Sequence, residues 1–120
     1  FAAPANYAIY PPQDIYDYMP WPWAMTLADV TGDGMLDIVT ANTQNDTVSV
    51  LPNDGAGRFD AFFNFDTGAH PGSIAAADFD GDGLPDIATG NRDNNDVSVL
   101  KNEGGRADPI FADGFDIVPL

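Results

Sequence analysis

Short apolar segments alternate along the chain with clusters of Gly, Asn, Asp and Pro, and no ten-residue window shows a helical period. Val48 and Val50 alternate with Ser49, for example, which predicts a strand with one buried face. Two series of four strands follow from this pattern. The first series covers residues 23–28, 38–41, 47–51 and 59–65, and the second covers 73–77, 87–89, 96–100 and 110–118. The pattern therefore predicts an all-β fold.

The two series of strands are copies of one repeat. A shift of 49 residues aligns residues 22–51 with residues 71–100, and about half of the aligned positions are identical. Four antiparallel strands in a repeat of this length match the size of a β-propeller blade. We therefore predict two tandem four-stranded antiparallel β-propeller-like blades, residues 21–69 and 70–120, which this chain alone does not close. Residues 1–20, rich in Tyr and Pro, are a candidate outer or exchanged strand.

Each repeat places an aspartate-rich loop in the hairpin between its first two strands, at residues 29–37 and 78–86. Ca²⁺ takes six to eight oxygen ligands, and a tight loop supplies them from alternate positions, here 1, 3, 5 and 9, with a backbone carbonyl from position 7. The predicted calcium ligands are Asp29, Thr31, Asp33, Met35 and Asp37 in the first loop, and Asp78, Asp80, Asp82, Leu84 and Asp86 in the second. Two Ca²⁺ sites are therefore expected. The first should bind more weakly, because Thr31 carries no charge.

An EF-hand and a pair of solvated turns are the two alternatives to this type of calcium site. An EF-hand would need Glu at position 12 and two flanking helices, whereas position 12 here is Thr40 or Thr89 in a predicted strand. Solvated turns are conceivable because Asp and Gly are common turn residues. Two loops in register, each with three or four carboxylates within nine residues, would however repel strongly without a cation. The acidic pattern therefore favours calcium binding.

Composition narrows the partners that this chain is expected to have. The 19 Asp and Glu against 4 Lys and Arg give a formal net charge of −15, so neither nucleic acid nor an anionic membrane surface is an expected partner. The absence of cysteine excludes disulfides, thiolate zinc sites and cysteine nucleophiles. No apolar run approaches the roughly 20 residues of a membrane span, so membrane insertion is not expected. The small apolar residues 1–5 favour a secreted or cell-surface protein.

Two sequence segments of the second repeat carry a family resemblance. They are Ala-Asp-Phe-Asp-Gly-Asp-Gly-Leu-Pro-Asp-Ile at residues 77–87 and Asn-Asp-Val-Ser-Val-Leu-Lys-Asn-Glu-Gly at residues 95–104. They resemble the FG-GAP or VCBS repeats, as in the β-propeller of integrin α subunits, and the resemblance covers roughly residues 21–115. It implies a calcium-binding blade, mostly from extracellular proteins used for adhesion or recognition. The loop aspartates carry over position by position, with Thr31 as the one departure.

The main functional hypothesis is a non-enzymatic, secreted calcium-binding module with a structural role in adhesion, surface display or self-assembly into a larger extracellular structure, fibres included. Unpaired strand edges favour association with further copies. Aromatic side chains in the predicted fourth strand of the first repeat are too many for one buried face. They are Phe59, Phe62, Phe63 and Phe65. Self-association through strand edges and aromatic surfaces is therefore expected, with a protein or a glycan as a further ligand.

The alternative hypothesis is a lectin-like carbohydrate-binding module. Four aromatic residues lie close together in the sequence and would stack against sugar rings. They are Tyr16, Tyr18, Trp21 and Trp23. An enzyme is not expected, because the single histidine, His70, belongs to no recognisable Ser-His-Asp arrangement, and Gly-Lys phosphate-binding loops are absent from the sequence.

Overall fold

The computed structural model describes residues 1–9 and 21–104, together with the backbone of residues 115–118. These residues form eight strands and no helix. The first sheet contains β1 (Pro22–Ala28), β2 (Asp37–Asn42), β3 (Thr47–Leu51) and β4 (Phe63–Asp66), and the second contains β5 (Pro71–Ala77), β6 (Asp86–Asn91), β7 (Asp96–Asn102) and β8 (Phe115–Val118). Both sheets are antiparallel with the strands in chain order. The predictions of an all-β fold and of sheets that do not close are confirmed.

The repeat is preserved in the strand register. Ile38 lies opposite Leu51 in the first sheet, and the matching Ile87 lies opposite Leu100 in the second. The first strand of each sheet also has an irregularity at the same place, after Pro22 in β1 and after Pro71 in β5. The two repeats thus share their strand pairing as well as much of their sequence. A residue and its counterpart 49 positions later can therefore be compared directly.

The hydrophobic core lies between the two sheets. Val39, Val48 and Val50 of the first sheet are completely buried, as are Ile87 and Leu100 of the second. Ala28 and Val30 complete the buried cluster, and the partly buried Phe65, Ile74 and Ala76 pack against it. Complete burial of an aliphatic side chain of this size contributes about 1.5–3 kcal/mol relative to exposure. Packing of one face of each sheet against the other therefore holds the two repeats together.

The prediction of one buried face for β3 was wrong. Ser49 is completely buried, like Val48 and Val50 on the other face of the strand. Its hydroxyl oxygen accepts a hydrogen bond from Asn42 Nδ2 at 2.7 Å, and the hydroxyl donates to Asn64 Oδ1 on β4. Serine can be buried here because its hydroxyl has both partners that it needs. The alternation of apolar and polar residues reflects a buried polar network rather than a solvent-facing side.

The predicted fourth strand, residues 59–65, is shorter than expected and begins at Phe63. The preceding turn extends further, because Asp54 N–H donates to the Arg58 carbonyl at 3.0 Å, and Arg58 N–H donates to the Asp54 carboxylate at 3.1 Å. These bonds close a turn between β3 and β4. Of the strand predicted over residues 110–118, residues 115–118 form β8 and the remainder lies outside the described residues.

The N-terminal residues 1–9 form no strand. Tyr7 packs edge-on against Phe59, with 5.5 Å between ring centroids and an interplanar angle of 76°. Ile9 is buried, at 6% exposure. Residues 10–20 lie outside the described residues, so the outer or exchanged strand stays a prediction.

Candidate metal centre

The second aspartate-rich loop, residues 78–86, is organised around its first carboxylate. The backbone N–H groups of Gly81 and Asp82 donate to Oδ1 of Asp78 at 2.8 and 3.1 Å, and the N–H of Gly83 donates to Oδ2 at 2.7 Å. Gly83 has φ of 91°, a conformation that glycine adopts at no steric cost. A single carboxylate thus folds the loop around itself, because three consecutive amides converge on it.

The first loop, residues 29–37, repeats this arrangement. The N–H groups of Gly32 and Asp33 donate to Oδ1 of Asp29 at 2.8 and 3.1 Å, and the N–H of Gly34 donates to Oδ2 at 2.8 Å. Amide donors stabilise negative charge on the carboxylate that they contact. The repulsion expected among the acidic side chains is therefore partly offset by the loop backbone itself.

The last carboxylate of the second loop belongs to Asp86, the first residue of β6, and it is only 1% exposed. Its Oδ2 accepts the N–H of Phe79 at 2.9 Å, and its Oδ1 accepts the N–H of Asn102 at 2.8 Å. Asp86 therefore ties the start of the loop to the end of β7.

Asp37 has the same role in the first loop and is completely buried. It accepts the N–H of Thr31 at 3.1 Å and the N–H of Asn53 at 2.9 Å. Burial raises the pKa of Asp37, and the two amide donors oppose that rise. A buried carboxylate with no cationic side chain among these hydrogen-bond partners is suited to an added cation.

Three carboxylates of the second loop come together. Oxygens of Asp78, Asp80 and Asp86 all lie within 4.8 Å of one another, which is compatible with ligation of one metal ion. Asp82, the fourth predicted side-chain ligand, lies outside this cluster, and its Oδ1 accepts the N–H of Leu84 at 2.9 Å. The ligand role of Asp82 and that of the Leu84 carbonyl stay predictions.

The first loop brings fewer charges together. Thr31 occupies the position of Asp80, and its hydroxyl donates to Oδ1 of Asp29 over 3.4 Å. Oδ1 of Asp33 accepts the N–H of Met35 at 2.9 Å, a bond that lowers the pKa of Asp33. In the described part of the chain, the second loop holds the only cluster of three acidic residues with this spacing. The roles of Thr31, Asp33 and the Met35 carbonyl as ligands stay predictions.

Lys101 on β7 contacts the second loop, and the sequence pattern gave no indication of this contact. Its Nζ lies 3.0 Å from Oδ2 of Asp80. This hydrogen bond lowers the pKa of Asp80 and raises the pKa of Lys101. The counterpart of Lys101 in the first repeat is Pro52, so only the second loop has this ammonium group beside it.

Replacing Lys101 with methionine is expected to raise the calcium affinity of the second loop about two- to fivefold, because the ammonium competes with the ion for Asp80. Calcium titration by calorimetry at low ionic strength measures the change, which should shrink in 0.5 M salt because such contacts are screened. Arg58→Met is the matched control: it removes an equal charge from an exposed pair with Asp60, 3.3 Å long. Equal affinities of both variants would show that Lys101 does not compete.

A cleft of about 950 Å³ lies at the opposite end of the sheets from the aspartate loops. Trp21 and Trp23 line it and are 60% and 71% exposed. The remaining lining residues are Thr43, Gln44, His70, Gly72, Ser73, Gly90, Asn91, Arg92, Asn95 and Asp96. Two of the four predicted sugar-stacking residues therefore face a cleft, whereas Tyr16 and Tyr18 lie outside the described residues.

Two further polar residues, His70 and Arg58, have local partners. His70 lines the cleft, and its Nδ1 lies 2.7 Å from Oδ2 of Asp93. Arg58 pairs with Asp60, and both side chains are well exposed, so this contact contributes little to stability.

The family model described as FG-GAP-like repeat matches residues 29–89, about half of the chain, from the first loop to β6. No curated protein and no solved structure gives a significant match. The described part of the chain contains no helix that could cross a membrane.

Proposed function

Because the chain belongs to the FG-GAP-like repeat family, we propose that it is a non-enzymatic calcium-binding module with a structural role in adhesion, surface display or assembly outside the cell. Repeats of this family are typically extracellular. The observation that carries the proposal is the cluster of Asp78, Asp80 and Asp86 within a loop that the family match includes.

The donor set fits calcium better than a transition metal. All three clustered groups are carboxylates, and hard oxygen ligands select Ca²⁺ or Mg²⁺ over zinc and copper. Ca²⁺ also tolerates the irregular geometry of a loop that mixes carboxylates, a backbone carbonyl and water, whereas Mg²⁺ demands a regular octahedron. Asp82 and the Leu84 carbonyl would complete the second site. The first site would use Asp29, Thr31, Asp33, Asp37 and the Met35 carbonyl.

The bound ion would act as a structural element of each repeat. Each loop joins the first two strands of its sheet. Its last carboxylate also accepts a backbone N–H near the end of the third strand, from Asn53, two residues after β3, or from Asn102, the last residue of β7. An ion that binds only the folded chain raises the free energy of unfolding by about 2.7 kcal/mol at a hundred times its Kd. Calcium would therefore hold three strands of a repeat in place.

Calorimetric titration of the full chain with Ca²⁺, before and after chelation, tests the calcium proposal. Two binding events are expected, the tighter one from the second loop, with a rise in Tm on calcium addition. Asp82→Ala should lower calcium affinity and calcium-dependent stability more than Thr31→Ala, because it removes a charged ligand. Absence of binding heat together with an unchanged Tm would refute the proposal.

The proposed partners of this module include further copies of the same chain. In each sheet the first and last strands leave one edge without a paired strand in the described structure. Such edges template association, and the aromatic residues around β4 would add apolar surface. A net charge of −15 opposes contact between copies, so association should strengthen with salt and with bound calcium.

Carbohydrate binding is a second candidate function, favoured by the cleft at Trp21 and Trp23. Exposed indole faces next to amide and carboxylate side chains suit a sugar, which has apolar ring faces and a rim of hydroxyls. A glycan array is the test, with Trp21→Ala and Trp23→Ala as loss-of-binding variants. Phe79→Ala, which removes an exposed aromatic outside the cleft, is the control. Glycan binding that survives both tryptophan substitutions would rule out this site.

A further inference from the structure

The cleft lies where the two repeats differ in sequence. Trp21 and Trp23 of the first repeat correspond to His70 and Gly72 of the second, and all four residues line the cleft. By contrast, the sequence Val-Ser-Val-Leu occurs in both β3 and β7. Differences between the repeats therefore shape the cleft, although the two sheets share their strand pairing.

Gly72 keeps part of the cleft open. It lies between Pro71 and Ser73, where the register of β5 shifts, and Trp23 has the same place in β1. A Cβ added at Gly72 would meet nothing within 4 Å beyond its chain neighbours, and its backbone is not in the left-handed region. A side chain is therefore sterically possible at this position, and its absence leaves space in the cleft.

Both tryptophans of the chain line this cleft. Their side chains are more than half exposed, so the indole faces are accessible to a ligand. An aromatic face attracts the apolar face of a sugar ring and also a nearby cation. The cleft volume of about 950 Å³ lies near the upper end of the range for ligand pockets, roughly 300–1,000 Å³, so several sugar units have room.

Asp96 brings a carboxylate to the cleft that the fold itself does not require. Its Oδ1 accepts a hydrogen bond of 2.8 Å from Nδ2 of the buried Asn91. In the first repeat, the hydroxyl oxygen of Thr47 accepts the same bond from Asn42 at 3.1 Å. An uncharged acceptor is therefore sufficient for this bond. Oδ2 of Asp96 has no hydrogen-bond partner among the described residues, so it is available to a ligand.

The basic side chains that line the cleft are already paired with another carboxylate. Arg92 Nε lies 3.1 Å from Oδ1 of Asp93, and His70 Nδ1 lies 2.7 Å from Oδ2 of the same residue. Asp96, in contrast, has no basic partner within the described part of the chain. The unpaired charge in the cleft is therefore negative, like the net charge of −15 on the whole chain.

This combination of groups suits a sugar that carries a positive charge. The ring would stack on an indole, and an ammonium group would pair with Asp96 and contact an indole face. Gln44, Ser73 and Asn95 also line the cleft and make no side-chain hydrogen bond within the described structure, so they can contact ring hydroxyls. The field of the whole protein attracts a cationic ligand and repels an acidic one.

We propose that the cleft binds a cationic amino sugar, as an oligosaccharide of unacetylated glucosamine units. The ammonium group at C2 lies against the Asp96 carboxylate, and the sugar rings stack on Trp21 and Trp23. The inference rests on the carbohydrate-binding function proposed above and names the class of sugar that the site prefers. It does not depend on calcium, because the cleft and the aspartate loops lie at opposite ends of the sheets.

Four tetrasaccharides with one β-1,4-linked backbone test the charge preference. Their units are glucosamine, N-acetylglucosamine, glucose and glucuronic acid. Tryptophan fluorescence of the full chain measures binding at about pH 6 and low ionic strength, because both tryptophans line the cleft. One ion pair and one cation–π contact should make the glucosamine tetramer bind about three- to thirtyfold more tightly than the glucose tetramer. This ratio should fall in 0.5 M salt, and the glucuronic acid tetramer should bind most weakly.

Two substitutions in the cleft test the position of the ligand. Asp96→Asn retains an acceptor for Asn91 and removes the charge, so the glucosamine and glucose tetramers should bind this variant with similar affinity. Asp60→Asn removes an equal charge outside the cleft and should leave the preference intact. Gly72→Trp introduces the side chain of the first repeat without changing the net charge, and it should abolish binding of all four tetramers. Circular dichroism checks that each variant is folded.

The outcomes separate the amino-sugar inference from carbohydrate binding in general. Equal affinity for the glucosamine and glucose tetramers, tighter binding of the glucuronic acid tetramer, or a glucosamine preference that survives Asp96→Asn would overturn the inference alone. Binding that survives Gly72→Trp would place the sugar outside the cleft and would overturn it as well. Absence of binding by all four tetramers would also overturn it, and an empty glycan array would in addition refute the carbohydrate function.

Discussion

Replacing Asp86 with alanine is expected to lower the free energy of unfolding by about 2–5 kcal/mol in calcium-free buffer. The substitution removes the acceptor for the buried N–H of Asn102 and for the partly buried N–H of Phe79. A buried donor left without a partner costs about 1–3 kcal/mol, and a partly buried one costs less. It should also abolish calcium binding by the second loop, because one of three clustered carboxylates is lost. Urea unfolding with and without calcium measures both effects.

Asp80→Ala is the matched control for Asp86. Asp80 belongs to the same cluster, but it lies on the surface and its carboxylate contacts Lys101. Its removal should weaken calcium binding while leaving the calcium-free stability nearly unchanged. Equal stability of the two variants in chelator would contradict the role of Asp86 as an anchor between loop and β7.

Replacing Asn102 with alanine is expected to cost about 2–4 kcal/mol of stability. Asn102 is 1% exposed and its Nδ2 donates to the buried carbonyl of Val30, so the substitution leaves an unsatisfied acceptor and a small cavity between the sheets. Chemical unfolding of the full chain measures the loss. The two repeats should also unfold less cooperatively, because this bond connects them directly.

Asn53→Ala provides the comparison within the same molecule. Asn53 occupies the matching position of the first repeat, but its hydrogen bonds to the Leu36 carbonyl and to the turn at Gly55 and Gly57 are exposed. Loss of exposed bonds costs little, so less than about 1 kcal/mol is expected. If Asn53→Ala lowered the free energy of unfolding more than Asn102→Ala, the hydrogen bond between the sheets would not be a major contribution to stability.

The alternation of apolar and polar residues, together with the 49-residue sequence repeat, was sufficient to predict most of the fold. Residues 47–51 were predicted as a strand from the spacing of Val48 and Val50, and β3 has these bounds. The hairpin position of the aspartate loops followed from the same repeat comparison and is confirmed. Within the second loop, three of the four predicted carboxylate ligands come together.

Contacts between residues distant in sequence could not be predicted in this way. Asn102 and Val30 are 72 positions apart, and no local pattern pairs them. The buried polar network was missed for a different reason: strand alternation assigns Ser49 to solvent, although its partner Asn42 lies on the adjacent strand. A signal was nevertheless present, because Asn42 and Ser49 recur unchanged as Asn91 and Ser98. Polar residues repeated at strand positions indicate buried hydrogen bonds.

The convergence of three loop amides on Asp29 and on Asp78 bears on when the ion is taken up. Because these amides already fix the shape of the loop, little chain entropy would be lost on binding of the proposed calcium ion. On the calcium function proposed above, the rate of ion uptake would then be set by diffusion and dehydration of the cation rather than by rearrangement of the loop.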